Sequence, residues 1–252
     1  MGMTNRILAF LAVAAMMIAA TGAPERHLSS GEVLSLRSGP LSVQSHDGEG
    51  AVRIVDGDTI RIVVEPGDQF RFDRDRGKAN ERAELSSKTK IPMGGSATAD
   101  LAVRYYDMGE FRPGRWVTLL QLHGPNRNTL QDGSRFGPPV LAVQQRGQEI
   151  IVLARWGSDR DGELIKQEVA RFPADFGVWH DYRYQVGLGE EGFVSIDRDG
   201  EPLVRWSGPI GYDAGDRQHY WKMGIYRSGE WESVSQLDMR IGCIGKSTDC
   251  EA

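Results

Sequence analysis

Three short segments of this 252-residue chain carry side chains suited to binding an anion and moving protons beside it. Gln121-Leu122-His123 sets an amide and an imidazole two positions apart. Tyr220-Trp221-Lys222-Met223-Gly224-Ile225-Tyr226 spaces two phenols and an ammonium group at even intervals, and Arg82-Ala83-Glu84-Leu85 does the same for a guanidinium and a carboxylate. Two is the period of a β-strand, so in each segment the polar residues share one face and the apolar residues the other. Arg82 can grip a carboxylate with two parallel hydrogen bonds, and Gln121 can donate through its amide. His123 titrates near neutrality and can take a proton or offset negative charge. Tyr226 can give a phenolic proton and, with Lys222 lowering its pKa, serve as a base as well. Gly224 is expected to leave room for a ligand between Lys222 and Tyr226.

Such residues need strands to hold them. Strict alternation puts Trp116, Thr118, Leu120 and Leu122 on one face of their segment, and Val117, Leu119, Gln121 and His123 on the other. Trp221, Met223 and Ile225 form the packing face of the third segment. Similar alternating runs occur at 51–55, 59–64, 149–154, 182–186 and 192–196, separated by turn signals. Asp56-Gly57-Asp58 and Asp197-Arg198-Asp199-Gly200 read as hairpin turns. Only 79–86 and 164–171 tempt a helical reading, and neither sustains an apolar 3.6-residue period. The pattern predicts an all-β protein: a two-sheet antiparallel sandwich of the jelly-roll, concanavalin-like type, forming one domain over 24–252. Residues 24–50, rich in Ser, Gly and His, are expected to run irregularly before it.

Arg6 and the apolar run from Ile7 to Ala20, closed by Thr21-Gly22-Ala23, have the layout of a secretory signal peptide over 1–23. The protein is therefore expected to be secreted or periplasmic, with no membrane span after cleavage. In that compartment Cys243 and Cys250, the only cysteines, are expected to form a disulfide that pins the tail. The formal charge of −5 gives no support to nucleic-acid binding.

Together, the three segments resemble the signature segments of β-jelly-roll polysaccharide lyases. The nearest likeness is to the heparin lyase I and glucuronan lyase type, with the jelly-roll alginate lyases as relatives, and it extends over roughly Glu81 to Gly242. Ser86 stands where the alginate-lyase form has a further arginine, and Arg227-Ser228 where that form has Asn-Gln. The resemblance implies cleavage of a 4-linked uronate polysaccharide by β-elimination, with His123 and Tyr226 catalytic. Arg82, Glu84, Gln121 and Lys222 would bind substrate, joined by Asn126 and Arg127 on the loop after His123, with Tyr220 packing or serving a distant subsite. No cofactor is needed for that chemistry, a structural calcium ion is left open, and the protein is expected to act as a monomer on an acidic polysaccharide.

Two other functions fit a secreted β-sandwich. A glycoside hydrolase needs two carboxylates at a set separation, and only Glu84 lies on the proposed face. A carbohydrate-binding, lectin-like module needs aromatic side chains and donors but no His–Tyr pair. The interleaved charges Arg71, Asp73, Arg74, Asp75, Arg76 and Lys78 read as a solvated, self-paired run, and His180 as a structural residue.

Overall fold

The computed structural model describes residues 24–36, 39–46, 50–75, 77–109, 114–124, 138–157, 164–212, 218–229 and 231–251. Residues 1–23, expected to be a signal peptide, and the loop residues Asn126 and Arg127 lie outside the described residues. No helix among the described residues is long and apolar enough to cross a membrane.

Sixteen strands among the described residues form two eight-stranded sheets, and every strand pairing is antiparallel. In chain order they are β1 (Arg26–His27), β2 (Val33–Leu36), β3 (Gly39–Ser45), β4 (Val52–Asp56), β5 (Thr59–Val64), β6 (Glu81–Ser87), β7 (Ser96–Tyr105) and β8 (Val117–His123). The second half comprises β9 (Leu141–Arg146), β10 (Glu149–Trp156), β11 (Ile165–Pro173), β12 (Trp179–Gly187), β13 (Phe193–Arg198), β14 (Glu201–Ser207), β15 (Tyr220–Arg227) and β16 (Ser235–Lys246). One sheet has the order β1-β4-β5-β16-β7-β12-β13-β14 and the other β11-β10-β9-β8-β15-β6-β3-β2. The fold is the expected jelly-roll sandwich. Both tempting helical stretches are strands, β6 and β11. Residues 24–50 depart from expectation, because β1, β2 and β3 fall within them. β1 and β2 are short edge strands with little hydrophobic alternation, whereas β3 lies between β6 and β2 and buries Ser42 and Ser45 beside Leu41 and Val43, which masks its apolar face.

The core lies between the sheets, where Leu120, Leu122, Trp221, Met223 and Ile225 meet Ile62, Val103 and Tyr184 from the opposite side. Both expected hairpin turns form. At the second, Asp199 and Gly200 have φ of 54° and 82°, the paired left-handed conformations of a two-residue hairpin turn. His180 anchors this turn through an Nδ1 contact of 2.6 Å with the Asp199 carboxylate, which fits its structural reading.

Among the strands that carry the three segments, strict alternation fails within β8. The register with β9 shifts between Thr118 and Leu120, and beyond the shift Thr118 lies across from Tyr226 of β15. Trp116 meets the Tyr226 ring edge-on at 4.8 Å. Trp116 and Thr118 therefore side with Tyr226 rather than with Leu120 and Leu122, while Leu119 joins the core cluster instead of flanking Gln121. A bulge adds one residue to a strand and reverses the facing of everything before it, which alternation counting cannot detect.

Cys243 of β16 is bonded to Cys250 at the end of a short helix, Ser247–Cys250, with Cα atoms 5.7 Å apart. Replacing both by Ser should lower stability by about 2 kcal/mol or less, since the loop they close is short. Activity should stay within twofold of normal, because the bond lies after the last site strand. Alkylation and mass measurement on protein taken from an oxidising compartment should find no free thiol. Two free thiols there would refute the pairing.

His219, just before β15, is fully buried, and burial holds its imidazole neutral with a pKa lowered to about 4. The unfolded chain takes up this proton near pH 6.5, the folded chain only near 4. Stability is thus unaffected by this residue above about pH 6.5, declines as pH falls through 5, and levels off below 4. At pH 5 the loss from His219 should be about 2 kcal/mol. Denaturant unfolding of wild type and His219→Leu at pH 7 and pH 5 should show the variant losing less on acidification. Equal losses in the two proteins would refute the assignment.

Candidate active site

The three chemical segments become neighbours: β15 lies between β6 and β8 at the centre of its sheet. Along β15, Tyr220 stands opposite His123, and Lys222 lies between Gln121 and Ser86. Gly224 faces Glu84, and Tyr226 lies between Arg82 and Thr118. Gln121, His123, Lys222, Tyr226 and Arg82 thus share one face, with the apolar residues between them turned into the core, as alternation predicts for these strands.

Glu84 is the hub of this face. Its carboxylate accepts hydrogen bonds from the Gln121 amide and from Lys222 Nζ at 3.0 Å, and Arg82 Nη1 lies 3.4 Å away. Glu84, Gln121, Lys222 and Arg82 are all buried, Glu84 to 1% exposure. Burial alone would raise the Glu84 pKa, but the charges of Lys222 and Arg82 overcome it and hold the carboxyl below its usual value. Lys222 shifts down from its usual value because burial outweighs the stabilising Glu84 charge. Glu84 is thus the internal counter-ion of Arg82 and Lys222 and the acceptor for Gln121, three donors that sequence reasoning assigned to substrate.

Gly224 has another use than expected. Its φ is 132°, and a Cβ there would lie 2.4 Å from the Ala83 carbonyl oxygen and 2.9 Å from Glu84 Cα. The residue is needed for the backbone conformation and for close approach to β6, not to make room for a ligand.

At one end of the row, Arg82 spans several partners. Its Nη2 lies 2.7 Å from the Asp73 carboxylate, and its guanidinium sits over the Tyr226 ring, 4.1 Å from the centroid. Asp73 comes from the short helix α1 (Arg71–Arg74) and is 1% exposed. The reading of this charge run as solvated therefore needs correction. Arg71 and Asp75 do pair at the surface, but Asp73 turns inward because a buried guanidinium needs a second carboxylate. Asn80 Nδ2 donates to the Tyr226 hydroxyl at 2.6 Å. Burial raises the Tyr226 pKa despite the nearby Arg82 charge, and Lys222, committed to Glu84, does not lower it as expected. Tyr226 is therefore protonated at neutral pH. Sequence reasoning missed Asp73 and Asn80, and no periodicity in that segment marks them.

At the other end, the His123 and Tyr220 rings stack at 5.3 Å. Tyr220 is therefore beside the imidazole rather than at a distance from it. His123 Nδ1 lies 2.7 Å from the Gly124 carbonyl oxygen. A carbonyl only accepts, so Nδ1 carries the proton and Nε2 keeps its lone pair. Burial, reinforced by the Lys222 charge, lowers the His123 pKa to about 4. His123 is therefore neutral at pH 7 and suited to accept a proton rather than to offset charge. Tyr220, its pKa pushed up to about 12 by burial, is a proton donor at the same end. Thr118 and Gln144, joined at 3.0 Å, continue the polar face onto β9. His123 and Tyr226 lie five β8 positions apart, a Cα separation on the order of 15 Å, bridged by the Glu84 network.

A cavity of about 410 Å³ opens elsewhere, between Asp100, Asp181, Arg183, Asp197 and Arg240 on the other sheet, and no imidazole lines it. Among the described residues no cluster of three His, Cys, Asp or Glu could hold a metal ion.

A family model described as "Polysaccharide lyase" matches residues 44–241. Among solved structures, the chain is similar to an endo-β-1,4-glucuronan lyase from the fungus Trichoderma reesei, at 14% identity and a TM-score of 0.58. That match covers 87% of this chain and 94% of the other. It is also similar to the family 7 alginate lyase A1-II′, solved as a doubly substituted form in complex with substrate, at 15% identity and a TM-score of 0.55. There the coverage is 81% of this chain and 90% of that one. No curated protein matches.

Proposed function

The chain belongs to the polysaccharide lyase family, and from that premise we propose that it cleaves a 4-linked uronate polysaccharide by β-elimination. Such a reaction removes the proton at C5, beside the carboxylate, and expels the 4-linked oxygen, leaving an unsaturated uronate. It needs an acceptor for the C5 proton and a donor for the leaving oxygen. The observation that carries the reading is the state of His123, neutral with its Nε2 lone pair available, on a face that also holds protonated phenols. His123 takes the C5 proton and Tyr226 donates to the leaving oxygen, while the Glu84 network keeps the intervening face rigid. A second assignment gives the donor role to Tyr220, whose ring stacks on His123. The two carboxylates here, Glu84 and Asp73, are both buried and engaged with internal donors, which does not suit hydrolysis by a carboxylate pair.

The proposal includes export, supported by the leader-like run at 1–23 and by the Cys243–Cys250 bond. The test of function is a panel of uronate polysaccharides, including glucuronan and alginate, assayed for new ultraviolet absorbance from unsaturated ends. Absorbance that rises with chain cleavage is the expected result. Cleavage that yields only saturated ends would overturn the reading in favour of hydrolysis, and binding without cleavage in favour of a lectin-like role.

A further inference from the structure

A proton beside an ionised carboxylate leaves readily only when that carboxylate's charge is offset. The groups that sequence reasoning set to this task are engaged elsewhere: Arg82 with Asp73 and Glu84, and both Gln121 and Lys222 with Glu84. All three are buried, and releasing Arg82 or Lys222 would strip a charge partner from Glu84, while releasing Gln121 would cost it a hydrogen bond. A cation close to His123 with no internal carboxylate of its own would add to what these groups can offer.

Lys90 is such a cation. It leads out of β6 beside Tyr220, held there because the next residue, Ile91, exchanges both backbone hydrogen bonds with His219, at 2.8 and 2.7 Å. Its Nζ lies 3.8 Å from the centre of the Tyr220 ring, and that same ring stacks on His123. The ammonium is exposed, and no carboxylate among the described residues pairs with it or with Lys88. Partial desolvation, with a contribution from Lys88, lowers its pKa, as happens to a cation without a counter-ion. A flexible, unpaired ammonium one aromatic ring from the base is well placed to take a substrate carboxylate as it arrives.

We propose that Lys90 receives the uronate carboxylate at the His123 end of the cleft, an inference that rests on the polyuronate lyase reading. It makes the ligand's carboxylate, rather than its hydroxyls, the feature this end recognises. The test uses a His123→Asn background, which stops turnover, and calorimetric titration with glucuronan and alginate, each beside its carboxyl-reduced form. Replacing Lys90 by Gln should weaken binding of the carboxylated polymer tenfold or more, with a smaller effect at high salt, and leave the reduced polymer unaffected. Lys90→Arg should retain most of the affinity. Unchanged binding in Lys90→Gln, equal losses for both forms, or no binding of either polyuronate would overturn the proposal. In the first case Lys90 only packs against Tyr220, and in the second it supports binding without reading the carboxylate. Lys90-dependent binding by a protein that yields no unsaturated product would instead sink the lyase reading and leave the carboxylate site standing.

Discussion

A Tyr226→Phe enzyme should keep its fold and lose about a hundredfold or more in turnover. The substitution deletes one hydroxyl, leaves the ring in place beneath Arg82 and against Trp116, and removes that hydroxyl's hydrogen bonds with Asn80 and Arg82. Stability should therefore change by about 1 kcal/mol. Tyr220→Phe should change turnover little on the same assignment, since the stacking of that ring on His123 does not need its hydroxyl. The comparison is demanding, because the structure sets Tyr220 and not Tyr226 directly across from His123. Rate measurements on both variants, with the polymer that wild type cleaves, decide the matter. If Tyr220→Phe loses the hundredfold and Tyr226→Phe does not, the donor is Tyr220 and the reacting sugar sits at the His123 end.

Glu84→Ala should be among the most damaging single changes in the protein, destabilising it by about 3–5 kcal/mol. Glu84 is the one carboxylate among the described residues that forms an ion pair with Lys222, and it shares Arg82 with Asp73 and accepts the Gln121 amide hydrogen. Removing it leaves a buried ammonium without a partner and a guanidinium with one carboxylate instead of two. Paired replacement Glu84→Gln with Lys222→Met should recover a large part of the loss, because it removes the stranded charge along with its counter-ion. Denaturant unfolding of the single and double variants measures the coupling. If Glu84→Ala unfolds at the same denaturant concentration as wild type, the hub assignment is wrong.

The alternating segments made the sandwich legible, since a period of two with turn residues between runs admits little else. The polar faces of Arg82/Glu84, Gln121/His123 and Lys222/Tyr226 were legible for the same reason. Residues whose placement depends on partners far away in sequence were not. Asp73 looked like one more charge in a solvated run until Arg82 was seen to need it. Trp116 and Thr118 were assigned to the wrong face, because a bulge in β8 leaves no trace in the pattern of residue types. Lys90 follows the first motif without belonging to any motif, and only the Ile91–His219 bridge brings it to Tyr220.

Sequence by itself determined the strand faces away from the β8 bulge, the two hairpin turns and the set of residues able to move protons, because these follow from local spacing and side-chain chemistry. Tertiary structure alone decided which of those residues are engaged with one another. It set β15 between β6 and β8, gave Glu84 three donors, and left His123 neutral with Tyr220 at its side. The physical reason is that charge state and availability depend on burial and on counter-ions, and both are set by which strands the fold brings together.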